Sequence, residues 1–406
     1  MNASMGMSHN ETEVSYAVDF GRDREPMQKR SRHPQYRRQG AAPARVGGMH
    51  CRRNKRWTWG SGRGARMANV RAFAGSLAFA LATVAASAFG VTINYSTVGN
   101  PGNTGNPSSN PAGTGAVTDI FKLATTETTN AQYVAFLNSV DPSGTNPNSI
   151  YNSSMGSAAN GGITFTAGAS AGAKYTVKSG TGPVGSAYGS MPVNFVSWFS
   201  AARFANWLNN GATSSSSTET GAYTLSGTTS GAVIARNPGA QVFLPSVNEW
   251  YKAAFFTGTG STYWTYQTQA NSTPTATVSN FTLANAGNFA SVTTGPIAVG
   301  SYTNATSNYG MFDMLGNVTE FVDTPASGSN AYIMGGNFAN PNIANWNALA
   351  ALRSASAAGL SDATGFRVAA VPEPGTIALA GMGIAGLAGL DWMKRRKKRM
   401  AARHEG

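Results

Sequence analysis

The middle of this chain reads as an α+β domain, and three observations predict it. Three short amphipathic stretches each open on a residue suited to cap a helix. Brief apolar runs broken by glycine, typical of short strands, fill the C-terminal third. There is no strict repeat and no alternation of strand and helix, so a parallel doubly wound sheet is not expected.

The first helix starts at Thr129-Asn130-Ala131-Gln132, a capping box in which the Thr hydroxyl and the Gln amide satisfy each other's backbone N–H groups. Tyr133, Phe136, Leu137 and Val140 follow on one face. Ser197 can cap a second helix whose inner face is Trp198, Ala201, Ala205 and Leu208. Ser246-Val247-Asn248-Glu249 is another capping box, leading into Trp250, Ala253 and Ala254. Gly211–Gly231, rich in Gly, Ser and Thr, reads as a surface loop. Strands are expected at Ile297–Tyr302, Tyr332–Phe338 and Gly365–Val371.

Both ends look like addresses rather than structure. From Met67 the chain has one positive charge at Arg71, an apolar run from Ala72 to Ala86, and Ala86-Ser87-Ala88 as a cleavage site. Residues 67–90 are therefore a secretory signal peptide. Residues 1–66, rich in Arg and without periodicity, are expected to precede the true start at Met67, the alternative being a disordered basic arm. At the other end Val371-Pro372-Glu373-Pro374 leads into an apolar Gly/Ala-rich stretch and six consecutive basic residues, Lys394 to Arg399. The 376–393 segment would span roughly 27 Å as a helix, enough for a marginal transmembrane anchor with the basic cluster left in the cytoplasm.

Charge follows the same division. The chain carries a formal net charge of +13, but residues 1–90 hold 15 Lys/Arg against 5 Asp/Glu, whereas residues 91–374 hold 8 against 10. The basic balance belongs to the ends, and nothing between them argues for nucleic acid. The one cysteine is Cys51 and the four histidines are His9, His33, His50 and His404, all outside Val91–Pro374. That interval can form no disulfide, no thiolate nucleophile, no imidazole base and no Cys/His metal site.

The tail, with its VPEP signature, apolar segment and basic cluster (371–399), resembles the PEP-CTERM sorting signal of Gram-negative bacteria that make exopolysaccharide. The resemblance implies an exosortase as partner, transient anchoring in the inner membrane, and a final place on the cell surface or outside it. Within the domain five segments occur in the order of the formylglycine-generating-enzyme (sulfatase-modifying factor) family. They are Glu127–Tyr133; Met191-Pro192-Val193 with Val196-Ser197-Trp198; Phe243–Ser246 with Glu249-Trp250; Tyr309–Phe321, reading YGMFDMLGNVTEF; and Gly335–Phe338 with Arg353-Ser354 and Gly365-Phe366-Arg367. The resemblance covers 117–370, leaves 91–116 as a linker, and implies the complex α+β variant of the C-type lectin-like fold.

The family places calcium at Asp313, the carbonyls of Gly316 and Val318, and Glu320, a set of hard oxygen donors suited to that ion. Turn capping and a buried hydrogen-bond pair would also explain the two carboxylates. Arg367 is expected to pair internally. The family's copper is held by two cysteines after Gly-Gly, where this chain has Asn340 and Asn345. An Asn amide cannot replace a thiolate for Cu(I), and the histidine triad of the related iron enzymes is missing too, so neither copper nor iron is expected. Three readings remain. One is a binding protein whose cleft, lined by Asn337, Asn340, Asn345 and Trp346, takes a glycan or exopolysaccharide. Another is an enzyme of unrecognised chemistry using Glu249, Asp313, Glu320 or Asp323, marked by a deep cleft with two close, perturbed carboxylates. The last is a purely structural biofilm component.

Overall fold

The computed structural model describes residues 91–350 and 352–373. The 1–66 segment, the signal peptide, Pro374 and the expected anchor at 376–393 lie outside these. Among the described residues no helix is long and apolar enough to cross a membrane.

In chain order the domain consists of β1 (Tyr95–Val98), β2 (Phe121–Ala124), α1 (Asn130–Val140), α2 (Ser154–Ser157), β3 (Ile163–Phe165), β4 (Tyr175–Val177), α3 (Trp198–Asn209), β5 (Val242–Phe243) and α4 (Val247–Phe255). It continues with β6 (Thr275–Ala276), β7 (Ala286–Gly287), β8 (Thr319–Pro325), β9 (Asn330–Met334), β10 (Arg353–Ser356), β11 (Thr364–Phe366) and β12 (Ala369–Ala370). Two four-stranded sheets carry the fold, ordered β1-β2-β12-β5 and β10-β9-β8-β11, with β3-β4 and β6-β7 as separate pairs. This is the α+β arrangement that the sequence predicts. All contacts within the two main sheets are antiparallel except β11 on β8, where Gly365 lies opposite Glu320.

The helix starts form as expected. Gln132 N–H donates to Thr129 Oγ1 at 3.3 Å while Thr129 N–H donates to Gln132 Oε1 at 2.8 Å. Ser246 and Glu249 reciprocate in the same way, and Ser197 Oγ accepts from Ser200 N–H. The α1 face packs its Tyr133 and Phe136 against Phe204 and Trp207 of α3, with Phe204 also against Phe366 of β11. Trp198 Nε1–H donates to the Val322 carbonyl at 3.0 Å and so fixes α3 to β8.

The one-sided reading of α3 needs correction, since every residue from Trp198 to Trp207 is buried. Its outer side is covered by the 211–231 segment. Glu219 from that segment grips Arg203 through two hydrogen bonds, and Asn206 donates to the carbonyls of Thr218 and Tyr223. Polar residues on a helix thus serve as clamps for a loop that composition alone marks as free.

Four further expectations change. Ile297–Tyr302 is not a strand. Its N–H groups go to side chains and a distant loop instead of a ladder: Ile297 to Asn317 Oδ1, Gly300 to Asp313 Oδ2, Val299 to the Ser190 carbonyl. The strand expected at Gly365–Val371 splits into β11 and β12, which pair in different sheets, with Arg367 between them. That expected at Tyr332–Phe338 stops at Met334, before Gly335 and Gly336 turn through φ of +92° and +73°. Residues 91–116 are not a free linker, because β1 pairs with β2 and Asn106 Nδ2 donates to Tyr251 OH at 2.8 Å.

Candidate functional site

The YGMFDMLGNVTEF segment turns tightly ahead of β8 with four left-handed residues, Gly310, Asp313, Gly316 and Asn317. At Gly316 a Cβ would come within 2.3 Å of the Asn288 carbonyl oxygen, so no side chain fits there. The turn delivers Asp313 and Glu320 to a buried cluster that also contains Arg367 and Glu127.

Arg367 is its centre. Nε and Nη2 each donate to Glu320 at 2.6 Å, and the remaining N–H groups reach the carbonyls of Ala124 and Phe312. Glu320 also accepts from Trp250 Nε1 at 2.9 Å. Arg367 therefore pairs internally as expected, with a carboxylate and with carbonyls together. This bidentate pair is buried between β8 and the β11–β12 crossover.

Glu127 is the member that the sequence missed. It is 1% exposed, accepts from Asn317 Nδ2 at 3.0 Å, and leaves Oε2 without a partner. Burial, then the neighbouring Asp313 charge, push its carboxyl well above the usual range. Burial likewise raises Asp313 to about 6, against the pull of the Gly300 N–H and Arg367. Three buried carboxylates thus face one guanidinium, and the two that Arg367 does not bridge, Glu127 and Asp313, are pushed toward their protonated forms. The sequence signal for Glu127 was its place at the head of the family-like segment Glu127–Tyr133, two residues before the α1 cap.

The donor chemistry fits a hard cation only in part. Asp313 and Glu127 are carboxyls that Arg367 does not bridge, and Glu127 Oε2 is an orphaned buried oxygen. Glu320 does not fit the expected set, because both its oxygens are spent on Arg367. Among the described residues no three His, Cys, Asp or Glu side chains converge on a metal position.

The pair also has the perturbed ionisation expected of an acid–base couple, but it does not face a cleft. The hollow beside Glu127 measures about 30 Å³, space for one water. The other carboxylates are occupied. Glu249 and Asp323 are bridged by Arg236 at 2.7 Å each, with the guanidinium 3.6 Å above the Phe243 ring.

The loop after Gly335-Gly336 is folded in on itself. Asn340 Oδ1 accepts from Asn337 N–H at 2.7 Å, and Asn337 Oδ1 accepts from Ala339 N–H. Trp346 is 7% exposed and packs with Tyr266, Phe289, Leu315 and Ile343. Its ring lies beside Gly336, with Arg353 5.8 Å from the ring centre. Asn345 is exposed, and its carbonyl accepts from Arg353. The structure brings Asn337 and Asn340 together but turns their amides onto backbone, and it offers neither a sugar-stacking face at Trp346 nor a soft donor for copper.

Comparison with known proteins places this geometry. The model of the sulfatase-modifying factor enzyme 1-like domain matches residues 90–371, and that of the PEP-CTERM protein-sorting motif matches residues 370–397. No curated protein matches the chain. Among solved structures it is similar to Treponema denticola variable protein 1, with 18% identity, 70% of this chain and 96% of the other covered, and a TM-score of 0.43. It is also similar to CarF, at 19% identity, 70% and 99% coverage and a TM-score of 0.41. PvdO from Pseudomonas aeruginosa gives 16% identity, 70% and 93% coverage and a TM-score of 0.37.

Proposed function

This chain belongs to the sulfatase-modifying factor enzyme 1-like family and ends in an exosortase sorting motif, and from that premise we propose that its domain is a surface-displayed glycan-binding module and not an oxidase. The sorting motif makes it an exported protein that is held briefly at the membrane and passed to the cell surface.

One observation carries the non-oxidase reading: there is no thiol or imidazole from residue 91 to residue 374. The two Asn where the family's thiolates would stand are a backbone-capping amide and an exposed amide. Neither can hold a copper ion in the reduced state. A weakly charged surface rich in amides and hydroxyls supports glycan as the ligand class.

The test uses the purified exported protein. It is expected to convert no cysteine of a sulfatase-type peptide when copper is supplied, and to be retarded in affinity gels containing polysaccharide. Copper-dependent aldehyde formation would overturn the first half; unretarded migration in every polysaccharide would overturn the second.

Calcium is part of the same proposal, with Asp313 and the carbonyls of Gly316 and Val318 as donors and Glu127 in the role first expected of Glu320. Its support is the pair of carboxyls that Arg367 does not bridge, which calcium would bind in their ionised form, and the unpartnered Glu127 oxygen. Calcium should raise the melting temperature at pH 7.5 and a chelator should lower it; identical melting curves would remove the ion from the proposal.

A further inference from the structure

One hollow in the domain lies away from the Gly335-Gly336 loop. It has a volume of about 580 Å³ and lies between the segment after α1, the β3–β4 hairpin and the turn after β10. That volume is within the usual range for small-molecule sites. We propose that this hollow is the saccharide site, and that it takes an uncharged, polyhydroxylated chain. The proposal rests on the glycan reading above and gives it a place and a ligand class.

The lining chemistry favours a sugar. Tyr151, Phe165 and Tyr175 form a cluster of three rings with centroids 5.2–6.0 Å apart. Two are pinned by their hydroxyls, Tyr151 OH to the Ile163 carbonyl at 3.2 Å and Tyr175 OH to Asp141 Oδ2 at 2.5 Å. Phe165 has no such tie and is 36% exposed. A rigid aromatic edge open to solvent beside pinned neighbours suits the C–H face of a pyranose, because the ring presents area at little entropy loss.

Polar capacity lies alongside. Asn148 Nδ2 donates to Glu219 and Asn152 Oδ1 accepts from Ser154 N–H. Among the described residues the other end of each amide, Asn148 Oδ1 and Asn152 Nδ2, makes no hydrogen bond to protein. One acceptor and one pair of donors are thus left for hydroxyl groups, with the exposed Ser153 near them.

The loop that presents them is preset. Asn146, Asn148 and Ser149 have φ of +53°, +55° and +54°, conformations that side chains other than glycine adopt only when held there. What holds them is visible. Asp141 accepts from the N–H groups of Thr145 and Asn146 at 2.8 Å, and the Asn146 amide bridges both backbone groups of Tyr151 at 2.8 Å. A loop stretched into three left-handed residues and locked by a buried carboxylate loses little freedom on binding.

The charge pattern selects against acidic sugars. No lining residue is charged. On the Asn148 side Arg203 is buried and already paired with Glu219, and Lys174, whose stem lies against Gly144, donates its ammonium to the Ala167 carbonyl. A uronate would therefore give up its hydration without gaining a cation.

The experiment measures binding of the purified exported protein to neutral gluco-, manno- and galacto-oligosaccharides and to polyuronates. The variants are Phe165→Ala, Asn152→Ala and Asn345→Ala, the last in the Gly335-Gly336 loop; near-ultraviolet circular dichroism confirms their folding. The expected result is binding to at least one neutral series in preference to polyuronates. Phe165→Ala and Asn152→Ala should each weaken it tenfold or more, and Asn345→Ala should leave it unchanged. Binding that survives both cavity variants would place the site elsewhere while sparing the glycan reading. Preference for polyuronates would overturn the ligand class. Absence of binding to any saccharide would remove the glycan reading and this site with it. Asn152→Ala, a half-exposed change, keeps the test valid if Phe165→Ala does not fold.

Discussion

Asp313 and Asp141 are both buried carboxylates, yet the fold treats them in opposite ways. Asp141 sits where a loop wraps around it and accepts from two backbone N–H groups, the Thr145 hydroxyl and the Tyr175 hydroxyl. Burial would raise its carboxyl, but these donors outweigh burial and hold it below the usual range. Asp313 has one backbone donor and acidic neighbours, so burial dominates and lifts it to about 6. The first arrangement uses a charge to shape a loop. The second confines charge in the interior and relies on Arg367 to keep it there. If the hollow binds the proposed ligand, stability and binding are separable in this domain, one resting on the buried cluster and the other on the loop beside the hollow.

The largest effect that should break the comparison is at Arg367. Arg367→Met removes the one cation facing Glu127, Asp313 and Glu320, and is expected to cost about 3–5 kcal/mol, since an unpaired buried charge remains. Chemical denaturation reads this directly. A loss under about 1 kcal/mol would mean that the carboxylates are already neutral and that the cluster is not held by charge. Asp141→Ala should cost about 2 kcal/mol, because several charge-assisted hydrogen bonds are lost from a partly solvated loop. Hydrogen exchange should show the change confined to the 143–151 backbone; uniform loss across the domain would deny Asp141 its local role.

The pH dependence sharpens the same contrast, and its sign differs for the two groups. The depressed carboxyl of Asp141 contributes stability above its unfolded range near pH 4 and loses it as pH falls through the folded value. The raised carboxyl of Asp313 contributes stability below pH 4 and loses it as pH rises through about 6. In chelator, melting curves should therefore rise from pH 7 toward pH 5, and Asp313→Asn should flatten that rise. A slope unchanged in Asp313→Asn would assign the titration to another group.

How much of this was legible in the sequence depended on how local its cause was. The caps at Thr129, Ser197 and Ser246 were readable because cap and partner lie three residues apart. The pairing of Arg367 was foreseeable because a cation in a buried strand needs a partner. The role of Glu127 was not, since its partner Asn317 is 190 residues away and the segment that it opens does not tell which residue it meets. Ile297–Tyr302 misled because its apolar pattern fits a strand, while the ladder it would need is replaced by side-chain acceptors from the Asp313–Asn317 turn. Trp346 was read as a platform because aromatic residues near amides suit sugars. Whether its ring faces solvent depends on Gly336 and Arg353 packing over it, a tertiary fact. The hollow at Phe165 escaped for the same reason, as its walls come from stretches spread along the chain from Gly144 to Leu360.

The smallest expected effect tests the separation itself. If the hollow is dedicated to a ligand, its rim should be dispensable for folding. Phe165 is more than a third exposed and ends the short strand β3, so truncating it removes apolar area that is only partly buried. Phe165→Ala should lower stability by about 1 kcal/mol, against about 3–5 kcal/mol for truncating a buried aromatic such as Phe204. Urea denaturation of the two variants side by side decides the point. Equal losses would make the three-ring cluster a part of the core, and the rim could then no longer be treated as a surface kept open for a partner.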